Sequence, residues 1–305
     1  MKTSHSLRKR FIKDCKLPIS LLQDPYFEYF LDLYEEYFGS RISYIQFCKL
    51  LNRLGGEEAF FKESKRITDS IIEDISKIPE YIEFNTANLS NYDVKPKIRQ
   101  QNVYHKQHVG VSFASFDLKK ANYNALKFIN PSIVLNTVSY EDLLSRYTDE
   151  DYFIKSKHIR QVIFGHLNPK RQIKIEKYLI HTRVIPELLK FIPDIERYVS
   201  ASDDEVVIML NPFETLSNSF KEGLQLFNAG VPVRYTPYVL QQLGDKPYFY
   251  KEFCFGEHPP IEFKAVPQNY FAECYRYFKK EKPKDYDRCT FHEGRVVQYL
   301  EPLFG

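Results

Sequence analysis

A chain of 305 residues has room for one large domain or two smaller ones, and its 43% hydrophobic and 27% charged residues exclude disorder as the main state. A formal net charge of +3 is too small to announce a nucleic-acid binder by charge alone. No run of about 18 apolar residues offers a membrane span, no apolar stretch marks an N-terminal signal segment, and five scattered cysteines read as reduced thiols, so an intracellular setting without membrane partners is expected.

The charges are segregated. Basic residues gather at 2–16, 95–106 and 155–183, and acidic ones at 24–36, 141–151 and 194–205. Behind the basic leader, Phe27, Phe30, Leu31, Tyr34 and Phe38 recur at helical spacing and Gly39 offers a stop. A second helix carries Ile45, Phe47, Leu50, Leu51 and Leu54 up to Gly55-Gly56, and a third, over 57–78, carries Phe60, Phe61, Ile67, Ile71, Ile72 and Ile75. These stripes predict the packed core of a small helical bundle. Residues 80–108 are polar and turn-rich, and read as an irregular connector or a hairpin.

Val109, Val111 and Phe113 alternate with small residues as a strand does, and helical spacing follows at Leu118, Ala121, Ala125, Phe128 and Ile129. The period changes at 116–118, so Asp117 is expected where a strand hands over to a helix; a simple N-cap would explain it. Thr148-Asp149-Glu150-Asp151 resembles a capped start to a helix reaching about Leu167. On that helix Ser156, Arg160 and Phe164 are spaced by four, with Lys157 and Gln161 beside them, a face that offers a cation, an amide and a ring to one ligand. A further helix over 171–189 is bent or ended by Pro186.

Asp203, Asp204 and Glu205 then open the apolar run VVIML, and carboxylates beside a buried strand must be solvated, paired or metal-bound. Residues 213–227 read as a helix and VPVRYTPYVLQQL as a strand followed by a helix or turn. PYFYKEFCF and IEFKAV read as paired strands across GEHPP, 270–280 as an amphipathic helix, and GRVVQYLEPLF as a last strand packing back on the sheet.

Nucleotidyl transfer needs two divalent ions on carboxylates, cations for the triphosphate and a flat surface for the base. The motif SFDLKKANYNALK resembles the first motif of the A-family DNA polymerases, RQVIFGHL resembles their fingers helix, and ASDDEVVI resembles their third motif. The resemblance covers about 109–210. It implies an α+β fold with a polymerase-like palm sheet, fingers helices and an N-terminal helical bundle. The regions would be a thumb-like 1–95, a palm and fingers core at 96–210, and a C-terminal 211–305 completing the palm. It implies Mg²⁺ or Mn²⁺ on Asp117 and Asp204, with Glu205 beside them; Arg160, Lys157 and Gln161 on the nucleotide; and Phe164 against the base. Partners would be a primer-template and nucleoside triphosphates, within a larger replication or transcription complex. The departures are Arg160 where the family has Lys, Ser156 where it has Arg, and Asn168 where Tyr is common.

Two further readings keep this fold. One is an inactive subunit that binds nucleic acid or assembles others. The other follows from the Ser202-Asp203-Asp204 doublet, which is similar to the paired Asp of reverse transcriptases and RNA-dependent polymerases; it requires a hairpin strand just before Asp203, and 193–200 lacks a strand pattern. Outside the fold, Cys254 with His258 and Cys289 with His292, and Cys274 between them, have spacings that zinc uses, though no common finger matches.

Overall fold

The computed structural model describes residues 3–211, 227–254 and 259–304. The chain folds into two compact units. The first comprises 1–62, 104–109 and 240–305, and the second 63–103 and 110–239.

The first unit opens with the helices α1 (His5–Cys15), α2 (Tyr26–Leu33), α3 (Glu35–Phe38) and α4 (Ser40–Leu54), and with the start of α5 (Glu57–Ser76). Ser4 caps α1 by accepting the Leu7 N–H, and Gly39 and Gly55 end α3 and α4 in the left-handed region. Most of the predicted stripes are core, Phe27, Phe47 and Phe60 among them, while Phe38 and Phe61 are half-buried and Ile45 is exposed; with Phe11 and Tyr44 the three buried rings meet ring to ring.

The second unit continues α5 and adds α6 (Pro79–Thr86), with Pro79 in the first turn where its missing N–H costs nothing. A helix thus stands at the start of the stretch expected to be irregular. Strand β1 (Ser112–Leu118) leads to α7 (Ala121–Ile129), α8 (Tyr140–Ser145), α9 (Asp151–Lys155), α10 (Lys157–His166) and α11 (Pro169–Leu179). The single helix expected over 148–167 is in fact two, because the Ser156 hydroxyl leaves the helix to accept the Ile159 N–H and start α10. After α11 comes one π turn, Ile180–Val184, and then α12 (Ile185–Leu189). Pro186 lacks an N–H to donate, and the chain accommodates it with the wider turn rather than an end.

Next come β2 (Tyr198–Ala201), β3 (Glu205–Met209) and β4 (Val233–Gln242), the last entirely extended where a strand and then a helix or turn was expected. β2 and β3 form an antiparallel hairpin with Ser202–Asp204 at its turn. The strand missing from the sequence pattern before Asp203 is therefore present. It is four residues long and buried on both faces, so it shows no alternation. β1 lies between β3 and β4, antiparallel to both. The order β2-β3-β1-β4, with helices between β1 and β2, is that of split β-α-β folds. The helix expected over 213–227 lies almost wholly outside the described residues.

Leu240–Gln242, the end of β4, belongs to the first unit, where the sheet continues into β5 (Phe249–Phe253) and β6 (Ile261–Lys264), a pair that the sequence anticipated. The whole is α+β, with a six-stranded antiparallel sheet. The helix expected at 270–280 is α13 (Phe271–Phe278). The last strand, β8 (Arg295–Gln298), does not return to this sheet; it pairs with β7 (Cys289–His292) in a ribbon of two. Among the described residues no helix is long and apolar enough to cross a membrane.

Candidate functional site

Asp117 is not a helix cap. β1 runs through Leu118, and α7 begins only after Lys119 and a left-handed Lys120. Asp117 therefore sits in the ladder, opposite Glu205 of β3 on one side and Arg234 of β4 on the other. Residues opposite each other across antiparallel strands project from the same face. One row of the sheet thus reads Glu205, Asp117, Arg234.

The Arg234 guanidinium holds Asp117 in a fork, with Nε to Oδ1 at 2.9 Å and a terminal nitrogen to Oδ2 at 3.2 Å. The Glu205 carboxylate accepts the hydroxyl of Ser115, two residues back on β1. Asp204 stands at the edge of the hairpin turn, where its carbonyl accepts the Leu118 N–H at 2.9 Å and its Oδ1 faces the Ser202 hydroxyl at 3.3 Å. Asp203 points elsewhere, 3.9 Å from Lys177. The Asp117 side chain is 26% exposed. Burial raises its pKa, Arg234 opposes that, and the charges of Glu205 and Asp204 add to the rise.

Sequence reasoning missed a fourth carboxyl in this group. Glu176, on α11, is only 4% exposed, and its Oε1 accepts the Asn122 amide at 3.0 Å. Its pKa is pushed up to about 7, by burial first and then by the charges of Asp204 and Asp203. The sequence signal was weak: Ile175, Glu176 and Leu179 share a face, and a lone acid on an apolar face is easily taken for a solvated residue. The folded state keeps a proton on Glu176 that the unfolded chain releases between about pH 4.5 and 7, so this residue subtracts stability as pH rises through that window. Glu176→Gln keeps the amide acceptor and removes the titration. It should match the wild type near pH 4 and exceed it by roughly 2–3 kcal/mol at pH 8, which denaturant melts at the two pH values measure.

Asp117 on β1, Asp204 in the hairpin turn and Glu205 on β3 are hard oxygen donors, and their mutual repulsion is what a divalent cation relieves. Their chemistry fits Mg²⁺ or Mn²⁺. Among the described residues no three His, Cys, Asp or Glu side chains converge on one point able to hold an ion, and Asp117 is engaged by the Arg234 fork. Each Asp117 oxygen already accepts one Arg234 N–H and keeps a second lone pair.

The expected nucleotide face of α10 is divided by burial. Ser156 is its buried N-cap. Arg160 lies over the Tyr140 ring, 5.8 Å from its centroid, with a buried Nε that has no hydrogen-bond partner and no carboxylate paired to it among the described residues. Burial holds its pKa below the ordinary range. Lys120 is near it: burial, then Arg160, then Lys119 depress its ammonium, which also meets Glu141. Lys119, Lys120 and Arg160 are thus gathered just beyond Asp117, at an α7 N-terminus that no side chain caps. Lys157 is half-buried and Gln161 exposed. Phe164 is 1% exposed and packs edge-on against Tyr123 and tilted against Tyr140, with no open face for a base.

The zinc spacings gain nothing. Cys274 and Cys289 are buried, and burial pushes the Cys274 thiol up to about 12, away from the thiolate that zinc takes. His292 is exposed beside Glu293, and His258 lies outside the described residues. Compared with family models, with curated proteins and with solved structures, the chain matches none.

Proposed function

We propose that the second unit is a template-directed nucleotidyltransferase that extends a primer on a nucleic-acid template. In this reading Asp117 and Asp204 hold Mg²⁺ or Mn²⁺, with Glu205 beside them. The observation that carries it is the meeting of Asp117 with the Asp204–Glu205 pair on neighbouring strands, in a sheet of order β2-β3-β1-β4. A divalent ion there supplies the Lewis acid that stabilises an attacking 3′-oxygen and a departing phosphate. The hairpin with Asp203-Asp204 at its turn favours the reverse-transcriptase or RNA-polymerase form of this chemistry over the A-family form.

The chain's own part is to hold the triphosphate. Arg160 offers a partly desolvated guanidinium without an anion, Lys119 and Lys120 add two ammonium groups, and the uncapped α7 N-terminus adds backbone N–H groups. Lys157 and Gln161, one face further round α10, remain in reach of solvent and of a nucleotide. Phe164 has no part in base contact. Arg160→Gln and Lys120→Ala should each raise the KM for nucleoside triphosphate by roughly ten- to a hundredfold, with a smaller change in kcat. Steady-state extension kinetics check this, and an unchanged KM in both sinks the phosphate assignment.

Primer extension on matched DNA and RNA templates, with Mg²⁺ and with Mn²⁺, tests the function. Template-dependent products support it. A folded chain that extends no primer on any template overturns it in favour of an inactive nucleic-acid-binding or assembly subunit, the reading that the Arg234 fork on Asp117 favours.

A further inference from the structure

Away from the carboxylate row, the second unit has a cleft of about 460 Å³, within the range of small-ligand sites. Its walls are Phe128 in the last turn of α7, Thr182 and Arg183 in the π turn, Pro186 and Glu187 in α12, Lys190 just after it, and the 228–230 loop. The Arg183 guanidinium lies 6.0 Å from the centroid of the Phe128 ring, and no carboxylate pairs with it among the described residues. The other polar groups are engaged. Thr182 donates its hydroxyl to the Tyr178 carbonyl, Lys190 is paired with Glu187, and the Asn228 side chain accepts the Gly230 N–H. A Cβ on Gly230 would meet nothing within 4 Å. Among the described residues the cleft therefore has one cation without a carboxylate partner, lying over a ring. π turns are often found at functional positions, and here the turn supplies two of the wall residues.

We propose that this cleft binds a nucleotide unit: a phosphate on Arg183, and a flat base beside the Phe128–Arg183 platform. Arginine suits both parts, because its fork matches two phosphate oxygens and its plane stacks on rings. Phe128 supplies the sequence-tolerant face that bases use on proteins. The same chemistry is present in a free mononucleotide and in one unit of a single strand.

Calorimetric titration of the full chain with AMP, adenosine, inorganic phosphate and a dT octamer tests this, with Arg160→Gln as the background so that the proposed triphosphate site does not contribute. AMP or the octamer should bind, and Arg183→Glu should weaken that binding at least tenfold while the melting temperature stays unchanged. Phe128→Leu should weaken it as well, and adenosine or phosphate alone should bind at least tenfold less tightly than AMP. An effect on AMP identifies the free nucleotide, and an effect on the octamer alone identifies the strand. Binding of neither probe, AMP binding no tighter than phosphate, or an Arg183→Glu variant within twofold of its parent on both probes overturns the proposal. None of these readouts depends on whether the chain extends a primer.

Discussion

Asp117→Asn and Asp204→Asn should each lower primer extension by at least about a thousandfold. Both are expected to leave the fold intact, for reasons found in the row itself. Asp117 faces Glu205 directly across the ladder, and like charges in that position oppose pairing. Neutralising Asp117 relieves that repulsion and the cost of its burial. The loss is the charge of the Arg234 fork, and Arg234 is 57% exposed, so it is not stranded without water. The net change in stability should stay within about 1 kcal/mol. Asp204 lies in a turn, where Asn keeps an acceptor for the Ser202 hydroxyl. A variant that melts like the wild type, binds a primer-template like it and does not extend would tie both carboxylates to the chemistry. Extension within tenfold of wild type in both variants would remove them from it. Glu205→Gln should have the smaller effect, since Glu205 stands beside the two proposed ligands and Gln keeps an acceptor for the Ser115 hydroxyl.

What the sequence disclosed and what it hid follow from the period of each signal. The helical bundle was legible because its rings recur at 3.6 residues over long stretches, and burial at Phe27, Phe47 and Phe60 follows that pattern. The order of the motifs along the chain is the one sequence signal for the meeting of Asp117 with Asp204 and Glu205; no local pattern encodes a cross-strand register. β2 was illegible because four residues buried on both faces leave no alternation. The function of Asp117 was weighed against helix capping because the change of period falls within two residues of it. Lys119 and Lys120, which occupy the handover, fix the strand's end beyond the carboxylate. Arg234 and Glu176 were invisible for a different reason. Each acts through a partner more than fifty residues away, Asp117 and Asn122, so only the fold gives them a role.

The largest expected loss of stability is at Phe164. Spacing by four from Arg160 made its ring a plausible surface for a base, but a helix face seen from the sequence does not say which part of it meets the core. Ser156 and Phe164 are both buried, and Arg160 lies between them along the same stripe, its Nε buried and its guanidinium over Tyr140. The Phe164, Tyr123 and Tyr140 rings each meet the other two, and the buried Gln172 side chain fastens the end of this helix by donating to the Phe164 and Leu167 carbonyls. Phe164→Ala should therefore cost about 3–5 kcal/mol and lower the melting temperature by roughly 8–15 °C, because the cavity it leaves is walled by packed rings. Phe164→Leu, which keeps much of the volume, should cost less than half as much and leave the KM for nucleotide within twofold of wild type. A base-stacking ring predicts the reverse: little change in melting and a large rise in KM for both variants. Thermal melts and extension kinetics on the same two proteins separate the readings, and a Phe164→Ala melt within 2 °C of wild type would return the ring to the nucleotide.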